Sequence, residues 1–407
     1  MDRRRFLELS GGALFLLEGS GARAAGAPNG GVLVVVFQRG AADGLHTVVP
    51  YRDPRYRALR GALALDEPGK GAGATLDLGD GFAFHPALAA LHRLYREHRL
   101  AAVVNVGSPD PTRSHFDAQD YVESGTPGRK STRDGWLGRS ISALGGRSSN
   151  PFTAVSLTAS VPRSLAGTSA VIALEDFGKL DAMSAGDRPL AERIEALYRE
   201  DSSPELSQAG EEAYRALRIF REKDPLSSGG GPRYPRGRIA PRFRQLAQLV
   251  RAGLGVRAAF VESEGWDTHF AQGGAEGSMA NSLRELADSI AAFLEDVGSA
   301  VAVTLLTVTE FGRTARANGS LGTDHGHGSV ILAAGAGVRG GRVLGDWLSL
   351  DSSNLFEGRD LPVTTDFRDV FQEVAVGALG IPPSIELFPG YRPSRVGVMA
   401  SLGETRG

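Results

Sequence analysis

The feature that most constrains the fold is a continuous run of apolar, mostly β-branched residues near the start of the chain, Val32-Leu33-Val34-Val35-Val36-Phe37. A run without polar alternation is typical of a strand buried on both faces of a parallel sheet. Similar apolar runs occur at 100–106, 258–261, 300–308 and 330–334. They alternate with helical patterns at 86–99, 114–122 and 278–297. This order predicts an α/β fold with a mostly parallel central sheet flanked by helices on both faces.

The first residues have the pattern of a transport signal. Adjacent arginines in Asp2-Arg3-Arg4-Arg5-Phe6-Leu7-Glu8 precede a short apolar run, and Ala22-Arg23-Ala24 offers small residues to a signal peptidase. Residues 1–24 are therefore interpreted as a twin-arginine signal peptide that makes few contacts with the folded body, the alternative being an ordinary amphipathic helix. This interpretation predicts one partner, the twin-arginine export machinery. It also predicts a periplasmic or extracellular protein that is not stably inserted in the membrane after cleavage.

Composition narrows the chemistry of the remaining chain. The 407 residues include no Cys, which excludes thiolate ligands and Cys nucleophiles. The 45 Lys and Arg residues nearly balance the 47 Asp and Glu residues, so no nucleic-acid partner is expected. Residues 25–407 are predicted to form a single domain, with a flexible Gly- and Pro-rich loop near 227–237, because strand and helix patterns continue on both sides of that loop.

Polar residues cluster where the predicted strands end, which is the edge at which open α/β sheets hold their sites. Gly265-Trp266-Asp267-Thr268-His269 offers a carboxylate and an imidazole to one divalent ion, although a hydrogen-bonded turn is the alternative. Thr323-Asp324-His325-Gly326-His327-Gly328 holds three further potential ligands, or a Gly-rich turn that caps the next strand. We expect Asp267, His269, Asp324 and His325 to form one cluster.

Two more positions carry alternatives. Glu310, at the end of the strand 301–308, is either a further metal ligand or a partner of Arg313. Ser114 opens a predicted helix with Ser114-His115-Phe116-Asp117, where backbone N–H groups favour an ionised hydroxyl or a bound anion. Ser114 is therefore a candidate nucleophile facing the cluster, and a plain N-cap is the alternative.

Five motifs taken together carry a resemblance to a known family. They are Arg39-Gly40-Ala41-Ala42-Asp43-Gly44-Leu45, Thr112-Arg113-Ser114-His115-Phe116-Asp117-Ala118-Gln119, Gly265-Trp266-Asp267-Thr268-His269, Thr309-Glu310-Phe311-Gly312-Arg313-Thr314 and Asp324-His325-Gly326. In this order they resemble the twin-arginine-exported domain of unknown function 1501 family over nearly the whole mature chain. More remotely, the chain is similar to the alkaline phosphatase and sulfatase superfamily.

The remote resemblance implies an alkaline-phosphatase-like fold and a set of site residues. Asp43 matches the superfamily's first metal-binding Asp, Ser114 matches its nucleophile, and Asp267 and His269 resemble later ligands. The chain departs from the pattern at Glu310, where phosphatases have an Asp-His pair. Either Glu310 replaces that Asp, with a later loop supplying the His, or the loop with Asp324 and His325 supplies the pair and His327 is the distal ligand.

Two functions of different class follow. The first is an exported, metal-dependent hydrolase of phosphate or sulfate esters. In it a divalent ion, zinc or calcium, polarises a small-molecule or polymer ester, Ser114 attacks, and Arg113 or His115 steadies the oxyanion. The second is a non-catalytic exported binding or assembly protein that retains the hydrolase fold. Without Cys, the formylglycine route of sulfatases is excluded.

Overall fold

The computed structural model describes residues 30–71, 73–145, 150–168, 171–178, 204–227 and 229–400. The predicted signal peptide, residues 1–24, lies outside the described residues. Among those described, no helix combines the length and the apolar composition needed to cross a membrane. Residues 229–237, in the loop predicted to be flexible, form neither helix nor strand.

The strands, in chain order, are β1 Val32–Gln38, β2 Val48–Val49, β3 Leu76–Gly79, β4 Phe82–Phe84, β5 Leu100–Gly107, β6 Ala154–Ser156, β7 Val171–Ala173, β8 Ala258–Ser263, β9 Val303–Val308, β10 Ser329–Gly335, β11 Arg342–Leu344 and β12 Thr365–Asp366. The described α-helices are α1 Gly44–Thr47, α2 Tyr56–Arg60, α3 Ala89–Arg96, α4 His115–Ser124, α5 Trp136–Ser142, α6 Pro204–Lys223, α7 Ala240–Arg251, α8 Ser278–Val297 and α9 Phe367–Leu379. Short 3-10 turns accompany them.

The central sheet has the order β11-β5-β10-β9-β1-β8-β6-β7, and β12 also pairs with β5. Its pairings are parallel except at β10, which runs antiparallel to both β5 and β9. The expectation of a mixed α/β fold with a large, mostly parallel sheet is therefore confirmed. Strands β2, β4 and β3 form a separate antiparallel sheet of three strands.

Strand β1 lies at the centre of the sheet, and every one of its residues is buried, as its unbroken apolar run predicted. Its side chains alternate between two hydrophobic cores because successive residues of a strand point to opposite faces. Val32, Val34 and Val36 pack in the core that includes residues of α3, α7 and α8. Leu33, Val35 and Phe37 pack in the core that includes residues of α5 and α9. Helices therefore cover both faces of the sheet.

Most of the predicted elements lie within a few residues of their expected positions. The helix at 278–297 has the predicted bounds, and the strand at 300–308 begins later, at Val303. The helical stripe at 86–99 starts as a 3-10 turn, Pro86–Leu88, before the α-helix begins. The central topology brings the carboxyl ends of β5, β9, β1 and β8, and the amino end of antiparallel β10, to one edge of the sheet.

Candidate functional site

His115 is held at the sheet edge as the first residue of α4. Its Nδ1 lies 2.7 Å from Oε1 of Glu310, which follows β9 and is almost completely buried. The same carboxylate accepts hydrogen bonds from Gly40 N–H at 2.9 Å and from the Gln119 side chain at 3.0 Å. Burial opposes ionisation, but these hydrogen bonds outweigh it and lower the pKa of Glu310 to about 2. Glu310 is therefore an ionised acceptor that fixes the His115 ring.

His325 reaches the same place from the loop before β10. Its Nδ1 lies 2.9 Å from the backbone carbonyl oxygen of Arg113. The next residue, Gly326, passes so close to the backbone of Arg313 that an added Cβ would lie 2.4 Å from that residue's carbonyl carbon. Glycine is required there because no side chain fits. Burial, followed by the nearby charges of His115 and Arg313, lowers the pKa of His325 and favours its neutral form.

The partners of the two rings determine their tautomers. An ionised carboxylate and a backbone carbonyl only accept hydrogen bonds, so Nδ1 carries the hydrogen in both His115 and His325. In each neutral ring the lone pair is then on Nε2. These two Nε2 atoms lie 3.0 Å apart. Two lone pairs facing each other at this distance repel, so the arrangement is favourable only with a cation, either a proton or a metal ion, between them.

Asp267 adds a carboxylate from the loop after β8. Its Oδ1 lies 2.5 Å from a guanidinium nitrogen of Arg313, whose side chain is completely buried. Backbone carbonyls of Gly40, Ala41, Trp266 and Thr323 also accept from Arg313. Burial raises the pKa of Asp267, but the hydrogen bond and charge of Arg313 outweigh it and keep the pKa low. Asp267 is ionised and half exposed.

His115, Asp267 and His325 together form a group that could hold a metal ion. One ligand atom from each lies within 4.8 Å of the other two. Such a set of two imidazoles and one carboxylate is typical of transition-metal sites. Asp267 and His325 were predicted as ligands, whereas His115 was expected to steady an oxyanion. In the structure, His115 is one of the three potential ligands.

The other two members of the predicted cluster lie directly beside this group. His269 Nε2 is 3.1 Å from Asp267 Oδ1, and His269 Nδ1 is 3.0 Å from Asp324 Oδ1. The ring centroids of His269 and His325 are 4.7 Å apart. The expected juxtaposition of Asp267, His269, Asp324 and His325 is therefore found, although His269 and Asp324 stand next to the three-ligand group rather than within it.

Asp43 has a different position from the one that the remote resemblance implied. It is buried, and both of its carboxylate oxygens accept from Arg60 at 2.6 Å. Gln272 donates to the same carboxylate at 2.7 Å, and Asp43 also caps α1. Burial raises its pKa, but the charge of Arg60 outweighs this and lowers it. With both oxygens bound to a buried cation, Asp43 is a structural ion-pair partner rather than a ligand of the group.

The structure also corrects the expectations for Arg113 and Ser114. The Arg113 guanidinium forms ion pairs with Asp360 and Glu357, both at 2.6 Å, so it is committed to carboxylates rather than to an oxyanion. Ser114 is the N-cap of α4, and its Oγ accepts a long hydrogen bond, 3.5 Å, from Asp117 N–H. The capping alternative therefore describes its hydroxyl in this structure. The contribution of Arg113 to the site is its carbonyl oxygen.

The sequence left two alternatives open. Either Glu310 replaces the metal-binding Asp of the phosphatases, or His327 is the distal ligand beside Asp324 and His325. The buried ring of His327 packs on Phe356, with centroids 4.3 Å apart, and is not part of the three-ligand group. Glu310 contacts the group through His115 and does not bind Arg313 through any of its hydrogen bonds described above. In this structure Glu310 is the hydrogen-bond partner of His115 Nδ1 and is not part of the three-ligand group.

Sequence reasoning missed the residues that support the ligands. The motif Thr309-Glu310-Phe311-Gly312-Arg313-Thr314 drew attention to Arg313 only as a partner for Glu310, although Arg313 binds Asp267. Gln119 and Arg60 were not singled out at all. His46 and His85 form a buried pair with centroids 4.9 Å apart, and both rings bind the carbonyl oxygen of Gly274. No local sequence signal marks these contacts, since their partners are distant in sequence.

Comparison with known families gives one match that covers most of the chain. The profile described as "Protein of unknown function (DUF1501)" matches residues 32–381, which include every residue of the three-ligand group and its supporting contacts. No match was found among the curated proteins.

Proposed function

Because the chain belongs to the DUF1501 family, whose description assigns no activity, we propose its function from the site: a divalent metal centre that hydrolyses phosphate or sulfate esters. The observation that carries this proposal is the pair of Nε2 atoms of His115 and His325, 3.0 Å apart with both lone pairs facing inward. Two nitrogens bound tetrahedrally to one zinc ion are about 3.3 Å apart, so the pair is close to ligand spacing.

The donor set favours zinc over calcium. Calcium prefers six to eight oxygen ligands, whereas zinc accepts imidazole nitrogens with a carboxylate. His115, His325 and Asp267 would hold the ion. Glu310 and the carbonyl of Arg113 hold the protons on the two Nδ1 atoms, an arrangement that orients histidine ligands in metal sites.

Three protein ligands are typical of catalytic zinc sites, which keep a position for water or substrate. A zinc ion bound there supplies a Lewis acid for an ester oxygen and lowers the pKa of bound water. The N-terminus of α4 begins at His115, so its first N–H groups and its dipole favour an anionic ester at this end of the helix. We assign no nucleophilic role to Ser114, whose hydroxyl caps the helix. The remote likeness to alkaline phosphatases and export by the twin-arginine route are parts of this proposal.

Turnover of chromogenic esters tests the proposal. We expect the zinc-loaded protein to hydrolyse p-nitrophenyl phosphate, bis(p-nitrophenyl) phosphate or p-nitrophenyl sulfate, to lose activity with a chelator, and to regain it with zinc. His325→Ala abolishes this turnover, whereas His92→Ala, at a partly exposed histidine of α3 that binds the carbonyl oxygen of Asp77, serves as the matched control. Absence of turnover on all three esters would contradict the proposal.

A second function is favoured by one observation. Two of the side chains expected to act on the substrate, Ser114 and Arg113, are committed to a helix cap and to carboxylates. This commitment supports a binding or assembly protein that retains the metal site without catalysis. A gain in melting temperature with zinc, together with no turnover of any ester, would favour this function.

A further inference from the structure

In the part of the chain that the structure describes, most of the exposed large apolar side chains lie on the segments that also carry the metal-ligand group and its neighbours. Among the described residues, four such side chains are exposed: Phe116 (88%), Phe270 (76%), Leu321 (57%) and Leu348 (45%). Phe116 directly follows His115, and Phe270 directly follows His269. Leu348 lies in a segment after β11 that contributes no residue to the group. Three of the four therefore belong to the loops and the helix end that build the site.

Ring contacts between these segments bring the backbone positions of Phe116 and Phe270 to the same edge of the sheet. The rings of His115 and His325 have centroids 4.4 Å apart, and those of His325 and His269 are 4.7 Å apart. Phe116 and Phe270 are thus the chain neighbours of the two ends of a row of three imidazoles.

The backbone brings the third side chain to the same loop. Ala271 N–H donates to Ser320 O at 3.0 Å, and Gln272 N–H donates to Leu321 O at 2.8 Å. Two backbone hydrogen bonds therefore fix the segment that contains Leu321 beside the segment that contains Phe270. We call Phe116, Phe270 and Leu321 the apolar rim.

Leaving this rim in water is costly. Burial of a phenylalanine or leucine side chain is favourable, and the rim forgoes a large part of that gain at three positions. The segments that hold it are ordered by a helix start, by the ring contacts and by the two backbone hydrogen bonds. Apolar side chains concentrated around a few convergent polar groups are typical of ligand sites.

We propose that the apolar rim binds the aromatic part of an anionic ester whose charged end reaches His115, Asp267 and His325. This inference rests on the proposed function and adds the substrate class, an aryl ester. Two phenylalanine side chains favour an aromatic ring over an aliphatic chain, because ring–ring packing contributes beyond the burial of area. The N-terminus of α4, which begins at His115, suits the anionic group.

Binding of two non-hydrolysable phosphonates tests the rim without relying on turnover. Phenylphosphonate and methylphosphonate carry the same charged group and differ in the aromatic ring. With the zinc-loaded protein, isothermal titration calorimetry is expected to give a dissociation constant about tenfold lower for phenylphosphonate, which corresponds to about 1.4 kcal/mol. In the Phe116→Ala/Phe270→Ala double variant, the ratio of the two constants falls to about 1. Leu348→Ala is the matched control and keeps the ratio of the unmodified protein.

The outcomes separate this inference from the proposed function. Three results would contradict the proposal that the apolar rim binds an aromatic ring. They are equal affinity for the two phosphonates, no binding of either, and a tenfold ratio that persists in the double variant. An equal loss of the ratio in Leu348→Ala would also overturn it, since a nonspecific apolar effect would then explain the preference. If the ratio is found as expected while no ester is hydrolysed, the rim stands as an aryl-anion site and the proposed hydrolysis fails.

Discussion

The molecule contains two pairs of neighbouring histidines, and they differ in what their nitrogens face. In the buried pair, His46 and His85, both Nε2 atoms bind the carbonyl oxygen of Gly274, at 3.1 and 3.0 Å. Nδ1 of His85 accepts from Ala87 N–H. In the pair at the sheet edge, His115 and His325, acceptors hold both Nδ1 atoms and the Nε2 atoms face each other. The buried rings share an acceptor, whereas the edge rings share a gap that needs a cation.

An aspartate and an arginine lie beside each histidine pair, and the two aspartates differ in burial and in how many of their oxygens bind the arginine. Both oxygens of buried Asp43 bind Arg60. Asp267 is half exposed, and Arg313 binds its Oδ1. Two histidines, an aspartate and an arginine therefore build a closed structural cluster in the interior and an open group at the sheet edge. The residue types do not distinguish the two clusters. The clusters differ in which side-chain atoms form hydrogen bonds within the protein.

The largest effect is expected from the buried ion pair. Asp43→Asn leaves the Arg60 guanidinium buried with its charge uncompensated, and loss of one partner of such a pair costs about 3–5 kcal/mol of unfolding free energy. Asp267→Asn costs less, because four backbone carbonyls also accept from Arg313. Urea unfolding checks this order. A larger loss in Asp267→Asn would contradict the distinction between the closed and the open cluster.

Zinc affinity should respond to the edge pair and not to the buried pair. His325→Ala removes a ligand, and we expect zinc to bind more than about 100-fold more weakly, since loss of supporting partners alone costs 10–100-fold. His85→Gln changes the buried pair and keeps the zinc affinity. Competition with a chromogenic chelator measures both. An equal loss of zinc affinity in the two variants would contradict the assignment of the metal to the histidine pair at the sheet edge.

Glu310→Gln sharpens the comparison by changing only the partner of a ligand. The amide can donate to Nδ1 of His115 and so favours the tautomer with hydrogen on Nε2, which cannot bind a metal. We expect zinc affinity to fall about 10–100-fold. A zinc affinity equal to that of the unmodified protein would show that the carboxylate does not set the tautomer.

The buried pair should make stability depend on pH. Burial, followed by the charge of His46, lowers the pKa of His85 to about 3. Between pH 6.5 and 3 the unfolded chain binds more protons at this site than the folded protein, so the unfolding free energy falls as pH falls. From pH 7 to pH 5 we expect the unmodified protein to lose about 2 kcal/mol more than His85→Gln. Parallel pH profiles of the two proteins would refute this.

Ser114→Ala is expected to have the smallest effect. Its hydrogen bond to Asp117 N–H is long and exposed, so loss of the cap costs about 0.5 kcal/mol, the lower end for N-caps. Any ester hydrolysis should continue, because the hydroxyl is assigned no reaction step. Steady-state kinetics and thermal unfolding measure the two quantities. Abolished turnover in a stably folded variant would restore Ser114 as the nucleophile.

The sequence predicted the elements and the edge of the sheet where the site lies. Continuous apolar runs such as 32–37 are strong signals, because only a doubly buried strand tolerates them. The meeting of Asp267 with His325 was also predictable, since parallel strands place their following loops together. The antiparallel direction of β10 was not, and it is what brings the loop before a strand, with His325, to the edge where the other strands end.

The roles of individual side chains could not be predicted. His115 is a potential ligand because Glu310, 195 residues away, binds its Nδ1 and leaves Nε2 facing the group. Asp43 is withdrawn from the group by Arg60, which lies only 17 residues away but carries no motif. Each role depends on contacts of about 3 Å between residues whose local sequences are independent. The motifs therefore indicated the part of the sheet edge where these residues meet, whereas the structure shows Asp43 and Arg113 in ion pairs and Ser114 as a helix cap.

X-ray absorption at the zinc edge tests the central claim most directly, that His115 and His325 face each other to bind a cation. We expect one zinc ion per chain, with two imidazole nitrogens at about 2.0–2.1 Å and the remaining ligands oxygen. In His115→Ala the imidazole count should fall to one or the zinc should be lost. A protein that binds no zinc, or a zinc shell without imidazole, would contradict the claim.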